Sequence, residues 1–561
     1  MTTTIPRYDT LLEYFYHWVD TKPDFPFLKQ PYGEKWKTLS YQEAFLEAAK
    51  MASALQAAGL EKGDHVAIFS KNCYHWILAD LAIMMGGYVS IPLYANLSPA
   101  QLAEVLALSD SKLLFVGKLE AWEAHQRALP DDLPIIRFPH YEGNAKVSEG
   151  DRWDELTAAH KPQLERFIPD PESLWTIMFT SGTTGTPKGV MHVHKTPPQI
   201  VKDDVENDWI KVGRYPGSRF LSYLPLNHVG EKIGIYTNAL CIGGTMHFAE
   251  SLETFAANLQ AVQPNIFFAV PRIWNKFYLG VAGKIPLRAQ KWLFKLPIIS
   301  GFLKNSLKKK LGMGDAKIVA TGAAITPAYL KNWYKQFGLH LIEAYGMTEV
   351  CGSFTNSVDP TSPLDTVGKV VPGCEVKIAP DSGEVLMKSP YMMKGYYKAQ
   401  ELTANVLRDG WLHSGDQGTL DEEGHLRIIG RVSDAFKTSK GKFVTPNPLE
   451  ETIGDSEYIE QVCVAGLGIP QPIALVNLSE VAGSKNKEAI EEELLTKLKL
   501  VNSQVANYEK VSTLVIDQES WTPDNELITP TLKIRRQALN KKHGANFLNW
   551  HNSKDTIIWL G

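Results

Sequence analysis

Much of what commonly identifies a protein is missing from this chain. Its five cysteines (Cys73, Cys241, Cys351, Cys374 and Cys463) are scattered, with no Cys-x-x-Cys and no metal-like spacing. That excludes a zinc site or a disulfide framework as the organising element and points to a reducing compartment. The strongest apolar run, 81–89, has about half the length that crosses a bilayer. No basic start is followed by an apolar stretch, and neither a myristoylation nor a prenylation signal is present, so a cytoplasmic location is expected. There is no excess of positive charge: 58 Lys and Arg stand against 62 Asp and Glu, a net charge of −4, which gives no electrostatic reason for nucleic-acid binding. No repeat of 20–50 residues is visible, which argues against a solenoid. A serine-hydrolase Gly-x-Ser-x-Gly elbow and the Asp-Phe-Gly of a protein kinase are both absent.

What is present is an α/β pattern. With 561 residues the chain exceeds one compact core, so at least two domains are expected. Short buried strands alternate with helices: Val66-Ala-Ile-Phe-Ser, a helix over 74–85, a strand at 88–92, a helix capped by Ser98 and opened by Pro99, then Leu113-Leu-Phe-Val. Near residue 420 the texture changes to a hairpin, followed by the polar, turn-prone Gly430-Arg-Val-Ser-Asp434. The boundary is expected there, with domains at 1–430 and 431–561.

The most informative segment is an apolar strand running into Thr180-Ser181-Gly182-Thr183-Thr184-Gly185-Thr186-Pro187-Lys188-Gly189. Glycines let backbone N–H groups approach a polyanion, hydroxyls add donors and Lys188 adds a point charge, as a nucleoside triphosphate requires. It is not a Walker A loop, because Pro187 precedes the lysine, Gly189 follows it, and the next residues read as a strand. The loop closely resembles the phosphate-binding signature of the adenylate-forming superfamily, and further motifs of that family follow in order, in a form similar to long-chain acyl-CoA synthetases. The resemblance spans about 38–536. It implies an α/β fold: a large N-terminal domain of two doubly wound subdomains plus a small β-barrel, and a small mobile α+β C-terminal lid.

Carried residue by residue, the resemblance implies an ATP site. Tyr345-Gly346-Met347-Thr348-Glu349 would stack on adenine, touch the α-phosphate through Thr348 and hold Mg²⁺ through Glu349, since that ion needs only one or two carboxylates beside phosphate oxygens. Gly322, Ala323 and Ala324 would form a second wall of the adenine site. Asp416 would accept both ribose hydroxyls, with Arg431 as a second ribose contact. Lys533, in Thr529-Pro-Thr-Leu-Lys533, would bridge the attacking carboxylate and the α-phosphate, where two anions meet. Rotation at Ser433 and Asp434 would then exchange Lys533 for a coenzyme A channel beside Lys440, Gly441 and Lys442. Many family members carry Asp or Lys where Ser433 stands, which leaves the pivot residue open.

The acyl pocket is expected around His228, Gly230 and Gly234. The implied reaction is activation of a medium- to long-chain fatty acid to acyl-AMP, followed by transfer to coenzyme A. An acyl-AMP ligase loading a carrier protein, and a nucleotide-binding regulator without catalysis, are the alternatives. Residues 284–310 hold eight Lys or Arg and no acid, interleaved with apolar side chains and interrupted by Pro297 and Gly301. A basic amphipathic stretch of that kind suits peripheral contact with a membrane surface, a helix packed on the core being the alternative.

Overall fold

The computed structural model describes residues 5–181, 187–294, 299–522, 525–529 and 533–560. Two parallel sheets dominate the larger part. The first has Leu174–Ser181, Val89–Leu93, His65–Phe69, Ser111–Val116, Ile135–Arg137 and Asp151–Arg152 in parallel, with Pro187–Val193 and then Gly395–Tyr396 added antiparallel at one edge. Parallel strands buried on both faces must be apolar throughout, and Val89–Leu93 is buried at every position. Helix Tyr74–Gly86 is buried almost all round and stops at Gly87, whose φ of 77° is the left-handed conformation that ends a helix. Ser98 forms the expected cap, exchanging hydrogen bonds with Gln101.

The second sheet has Leu341–Tyr345, Ile318–Gly322, Ile266–Ala269, Arg219–Ser222, Thr245–Phe248 and Pro26–Tyr32 in parallel, with antiparallel strands at both edges. The chain begins in this sheet, builds the first, returns, and finally places Gly395–Tyr396 back on the first. A five-stranded antiparallel sheet follows, centred on Trp411–Leu420 and including Leu426–Arg431.

The smaller C-terminal part is α+β. A hairpin of Phe436–Lys437 with Phe443–Val444 precedes a mixed sheet of Ile459–Ala465, Ile473–Leu478, Thr513–Asp517 and Ile557–Trp559. Among the described residues, hydrophobic clusters of the larger part end at Ile428 and those of the smaller part begin at Phe436. Of the two breaks expected in 284–310, Gly301 makes none: helix Ile299–Lys310 passes through it. A glycine in the first turn, where N–H groups have no intrahelical partner, disrupts little. Pro297 lies outside the described residues.

One buried ion pair fixes the strand on which the site is built. Lys331 Nζ lies 2.6 Å from Glu343 Oε2, and both side chains are almost fully buried. Glu343 Oε1 accepts from the Thr326 N–H at 2.7 Å, and Lys331 also donates to the Thr366 carbonyl at 3.1 Å. Burial pushes the Glu343 carboxyl up, against the pull of Lys331 and the N–H group. Removing one partner strands the other charge, so Lys331→Met should cost about 3–5 kcal/mol of stability, read from the urea midpoint. A change below about 1 kcal/mol would mean that the pair does not anchor this strand.

Candidate active site

The loop-bearing segment is a hairpin. Leu174–Ser181 pairs with Pro187–Val193, placing Thr180 opposite Lys188 and Ser181 opposite Pro187. Gly182, Thr183, Thr184 and Gly185 lie outside the described residues. A strand, not a helix, follows Lys188, as its non-Walker sequence requires. His192, further along that strand, is buried, and desolvation lowers its imidazole to about 4, so it is neutral near pH 7. Its Nε2–H donates to the Thr348 carbonyl at 2.7 Å, tying the hairpin to the turn Thr348–Val350.

A residue absent from the sequence reading joins Lys188 to Glu349. Tyr396 pairs with Val190 on the hairpin's outer edge. Its hydroxyl donates to Glu349 Oε1 at 2.7 Å, and its ring centroid is 5.7 Å from Lys188 Nζ. A cation and a carboxylate are thus held on opposite ends of one aromatic side chain. No local signal in Gly395-Tyr396-Tyr397 marks it, because its role depends on a strand added from two hundred residues away.

Gly322 and Gly346 are demanded by close approach. A Cβ on Gly322 would stand 2.5 Å from the Ala344 carbonyl oxygen, and one on Gly346 would stand 1.5 Å from that of Gly352. Ala323 follows Gly322 with a φ of 66°, a conformation unusual for a residue with a side chain. Ala323, Ala324, Tyr345 and Gly346 line the cleft, with Gly322 just behind them.

Asp416 and Arg431 face each other across antiparallel strands. Arg431 Nε is 2.9 Å from Asp416 Oδ1, and the Tyr345 hydroxyl donates to Oδ2 at 2.7 Å. Burial pushes the Asp416 carboxyl up, opposed chiefly by Arg431. Each carboxylate oxygen has a second lone pair, so a cis-diol can still be accepted. Lys533 enters the same cluster. Its N–H donates to Thr529 Oγ1 at 3.0 Å, and its carbonyl accepts from the Thr529 N–H at 2.7 Å. Burial lowers its ammonium to about 8; Arg431 pushes it further down and Asp416 pulls it up.

All these groups line one cleft of about 1490 Å³ that runs on past His228, Gly230 and Gly234 towards Ile200 and Trp209. His228 Nδ1 accepts from the Gly230 N–H at 3.1 Å, and burial beside Lys533 lowers the ring to about 3. The neutral ring therefore carries its proton on Nε2. The two glycines differ. A Cβ on Gly230 would press on His228 and Phe268 at 3.1 Å, whereas one on Gly234 meets nothing within 4 Å. Ser433 and Asp434 also line the cleft, but Lys440, Gly441 and Lys442 do not; they form an exposed turn in which Gly441 has a φ of 76°.

The profile of the AMP-binding enzyme family matches residues 15–397, and that of the AMP-binding enzyme C-terminal domain matches 433–545. A long-chain-fatty-acid–CoA ligase of Mycobacterium bovis is 27% identical, covering 98% of this chain and 98% of its own. Long chain acyl-CoA synthetase 5 of Arabidopsis thaliana is 26% identical, covering 90% and 85%. The human long-chain-fatty-acid–CoA ligase 1 is 27% identical, covering 92% and 82%. Among solved structures, the adenylation domain of a carboxylic acid reductase from Segniliparus rugosus, with AMP and a co-purified carboxylic acid, superposes with a TM-score of 0.82 at 21% identity over 97% of this chain and 94% of its own. An anthranilate CoA ligase with anthranoyl-AMP gives 0.78 at 18% identity, over 97% and 99%.

Lys533 should titrate near 8 in the ligand-free protein, well below the ordinary lysine value of about 10.4. Reductive ¹³C-methylation followed by NMR reads this directly. Asp416→Asn should move the value down and Arg431→Met should move it up. Titration near the ordinary value would show that Lys533 does not occupy the cleft in solution.

Proposed function

The chain belongs to the AMP-binding enzyme family, and from that premise we propose that it activates a medium- to long-chain fatty acid to acyl-AMP and transfers the acyl group to coenzyme A. The observation that carries this reading is a single cleft shared by Lys188, Glu349, Asp416 and Lys533 that continues into the open space at Gly234. The long-chain ligase names of the relatives point the same way.

In the first half-reaction a carboxylate oxygen attacks the α-phosphorus of ATP; a P–O bond to the acid forms and the bond to pyrophosphate breaks. Asp416 and Arg431 hold the ribose, and the Thr180–Lys188 hairpin holds the phosphates. Lys533 supplies positive charge where the two anions meet, and His228 offers an Nε2–H donor beside it. Glu349, aligned by Tyr396, is the residue to hold Mg²⁺, which when bound neutralises the phosphate oxygens. In the second half-reaction the coenzyme A sulfur attacks the acyl carbon and AMP leaves with its electron pair. Two domains, 1–430 and 431–561, rotate about 431–434 between these steps, replacing Lys533 with the turn at 440–442. Residues 431–433 are exposed, as a segment changing its dihedrals requires.

The far end of the cleft favours an apolar substrate. Glu231, the nearest carboxylate in the pocket segment, is buried away from the cleft, and burial raises it to about 8. Asp204 does line it, but its carboxylate is spent on the backbone N–H groups of Ile210, Lys211 and Gly213. Neither is placed to hold a substrate ammonium. Loading of a carrier protein instead of coenzyme A is tested by offering each acceptor with ATP and a fatty acid; acyl-CoA and AMP are the expected products by mass spectrometry.

Lys533→Ala should reduce acyl-AMP formation by about 10²-fold or more yet leave thiolysis of supplied acyl-AMP nearly intact. Equal loss of both steps would sink the assignment. Each methylene buried along the cleft contributes about 0.8 kcal/mol, so kcat/KM should climb with chain length until the space is filled. Gly234→Trp should then move the optimum to shorter acids with the KM for ATP unchanged. An unaltered chain-length profile would place the acyl chain elsewhere.

A further inference from the structure

Helices Leu287–Leu293 and Ile299–Lys310 follow helix Pro271–Ala282, whose first turns carry Arg272 and Asn275 into the cleft. Their aliphatic side chains are spent inward: Leu287, Leu293, Leu303 and Leu307 pack on the cluster around Trp274 and Trp333. Gln290 fixes the first helix by accepting from Trp333 Nε1 at 2.8 Å. A helix pair with its apolar stripe already covered should show only polar residues outside. This one does not. Trp292 is 66% exposed and Phe302 is 81% exposed.

The charge around these two rings is of one sign. No acid occurs in 284–310, and among the described residues Lys284, Arg288, Lys304, Lys308, Lys309 and Lys310 make no ion pair. A merely solvated helix in a chain of net charge −4 has no reason to segregate its cations this way. Nucleic acid is disfavoured by that net charge and by an aromatic pair with no groove around it. Aromatic side chains that insert among acyl chains, flanked by cations at headgroup level, match an interfacial membrane site. No described helix is long and apolar enough to cross a bilayer, so the attachment is peripheral.

We infer that the outer face of 284–310, through Trp292, Phe302 and the surrounding lysines, docks the protein on an anionic lipid bilayer. The face lies one helix length from the cleft: the 12 residues of Pro271–Ala282 span about 18 Å. Docking therefore brings the cleft to the layer in which long-chain acids dissolve. The binding itself requires no particular reaction in that cleft.

The test is cosedimentation of the full-length chain with vesicles, without nucleotide or acid. Phosphatidylcholine vesicles containing about a third phosphatidylglycerol should bind it, pure phosphatidylcholine should not, and 0.5 M salt should weaken the binding, since at that ionic strength the Debye length falls to about 4 Å. Each basic residue at an anionic surface contributes a factor of about five, so Lys308→Glu, Lys309→Glu and Lys310→Glu together should lower partitioning at least about a hundredfold. Trp292→Ser with Phe302→Ser, a pair of exposed changes that folding should tolerate, should lower it independently, with the thermal midpoint as control. No binding to anionic vesicles, equal binding to both lipids, or anionic binding that survives both variants would overturn the proposal. Because no turnover is measured, failure here is separable from failure of the catalytic reading.

Discussion

The meeting of Lys533 with the Asp416–Arg431 pair is the contact on which the organisation of the cleft depends. Three formal charges are gathered where water is scarce, and each alters the others. Arg431 opposes the burial penalty on Asp416, and Asp416 partly restores the ammonium that burial and Arg431 suppress. The three come from both sides of the joint between the two parts of the chain. Removing Lys533 from the cleft removes a cation from the carboxylate that Tyr345 and Arg431 hold. Electrostatics therefore links the position of the C-terminal part to the state of the nucleotide-facing groups, without any long-range pathway.

That cluster needs a floor, and the floor is set by how closely strands approach. Gly322 and Gly346 end adjacent parallel strands, and both are pressed against carbonyl oxygens. The Lys331–Glu343 pair lies one layer below and holds the second of these strands to the loop at Thr326. On the other side, His192 and Tyr396 fasten the phosphate-side hairpin to Thr348 and Glu349. Two sheets that fold from different stretches of chain are thus locked at the ends of their strands, where a ligand can be reached from both.

What the sequence conveys follows how locally each feature is determined. The strand before Thr180, the cap at Ser98 and the hairpin near 420 depend on neighbours a few residues away, and they were legible. Residues Lys188, Asp416 and Lys533 were legible through resemblance, since each lies in an ordered motif. Tyr396 was not, because its partners are Val190 and Glu349. The difference between Gly230 and Gly234 was also hidden: their spacing alone makes them equivalent, and only the ring of Phe268 distinguishes a packed glycine from an open one. Gly301 misled in the opposite direction, because a breaker in the first turn of a helix breaks little.

The C-terminal part is built so that its lysine moves with the joint as one piece. Arg536, three residues after Lys533, forms hydrogen bonds to both oxygens of Glu450 and to the Val464 carbonyl, and approaches Asp434 at 3.7 Å. Its guanidinium is buried and held firmly charged by these acids. The segment bearing Lys533 is therefore fastened to the first helix and first long strand of its own domain, and to the residue beside Ser433. Across the joint the bonds are fewer and smaller: Arg272 with Glu460 at 2.9 Å, the Ala328 N–H with Glu451 at 3.1 Å, and the Tyr329 hydroxyl with the Gly454 carbonyl at 3.3 Å. Partly exposed pairs of this kind exchange readily for water, whereas the Arg536 network does not. A torque at 431–434 breaks the weaker set first. Lys533 leaves the cleft because the domain that carries it is stiffer than the contacts that hold it there.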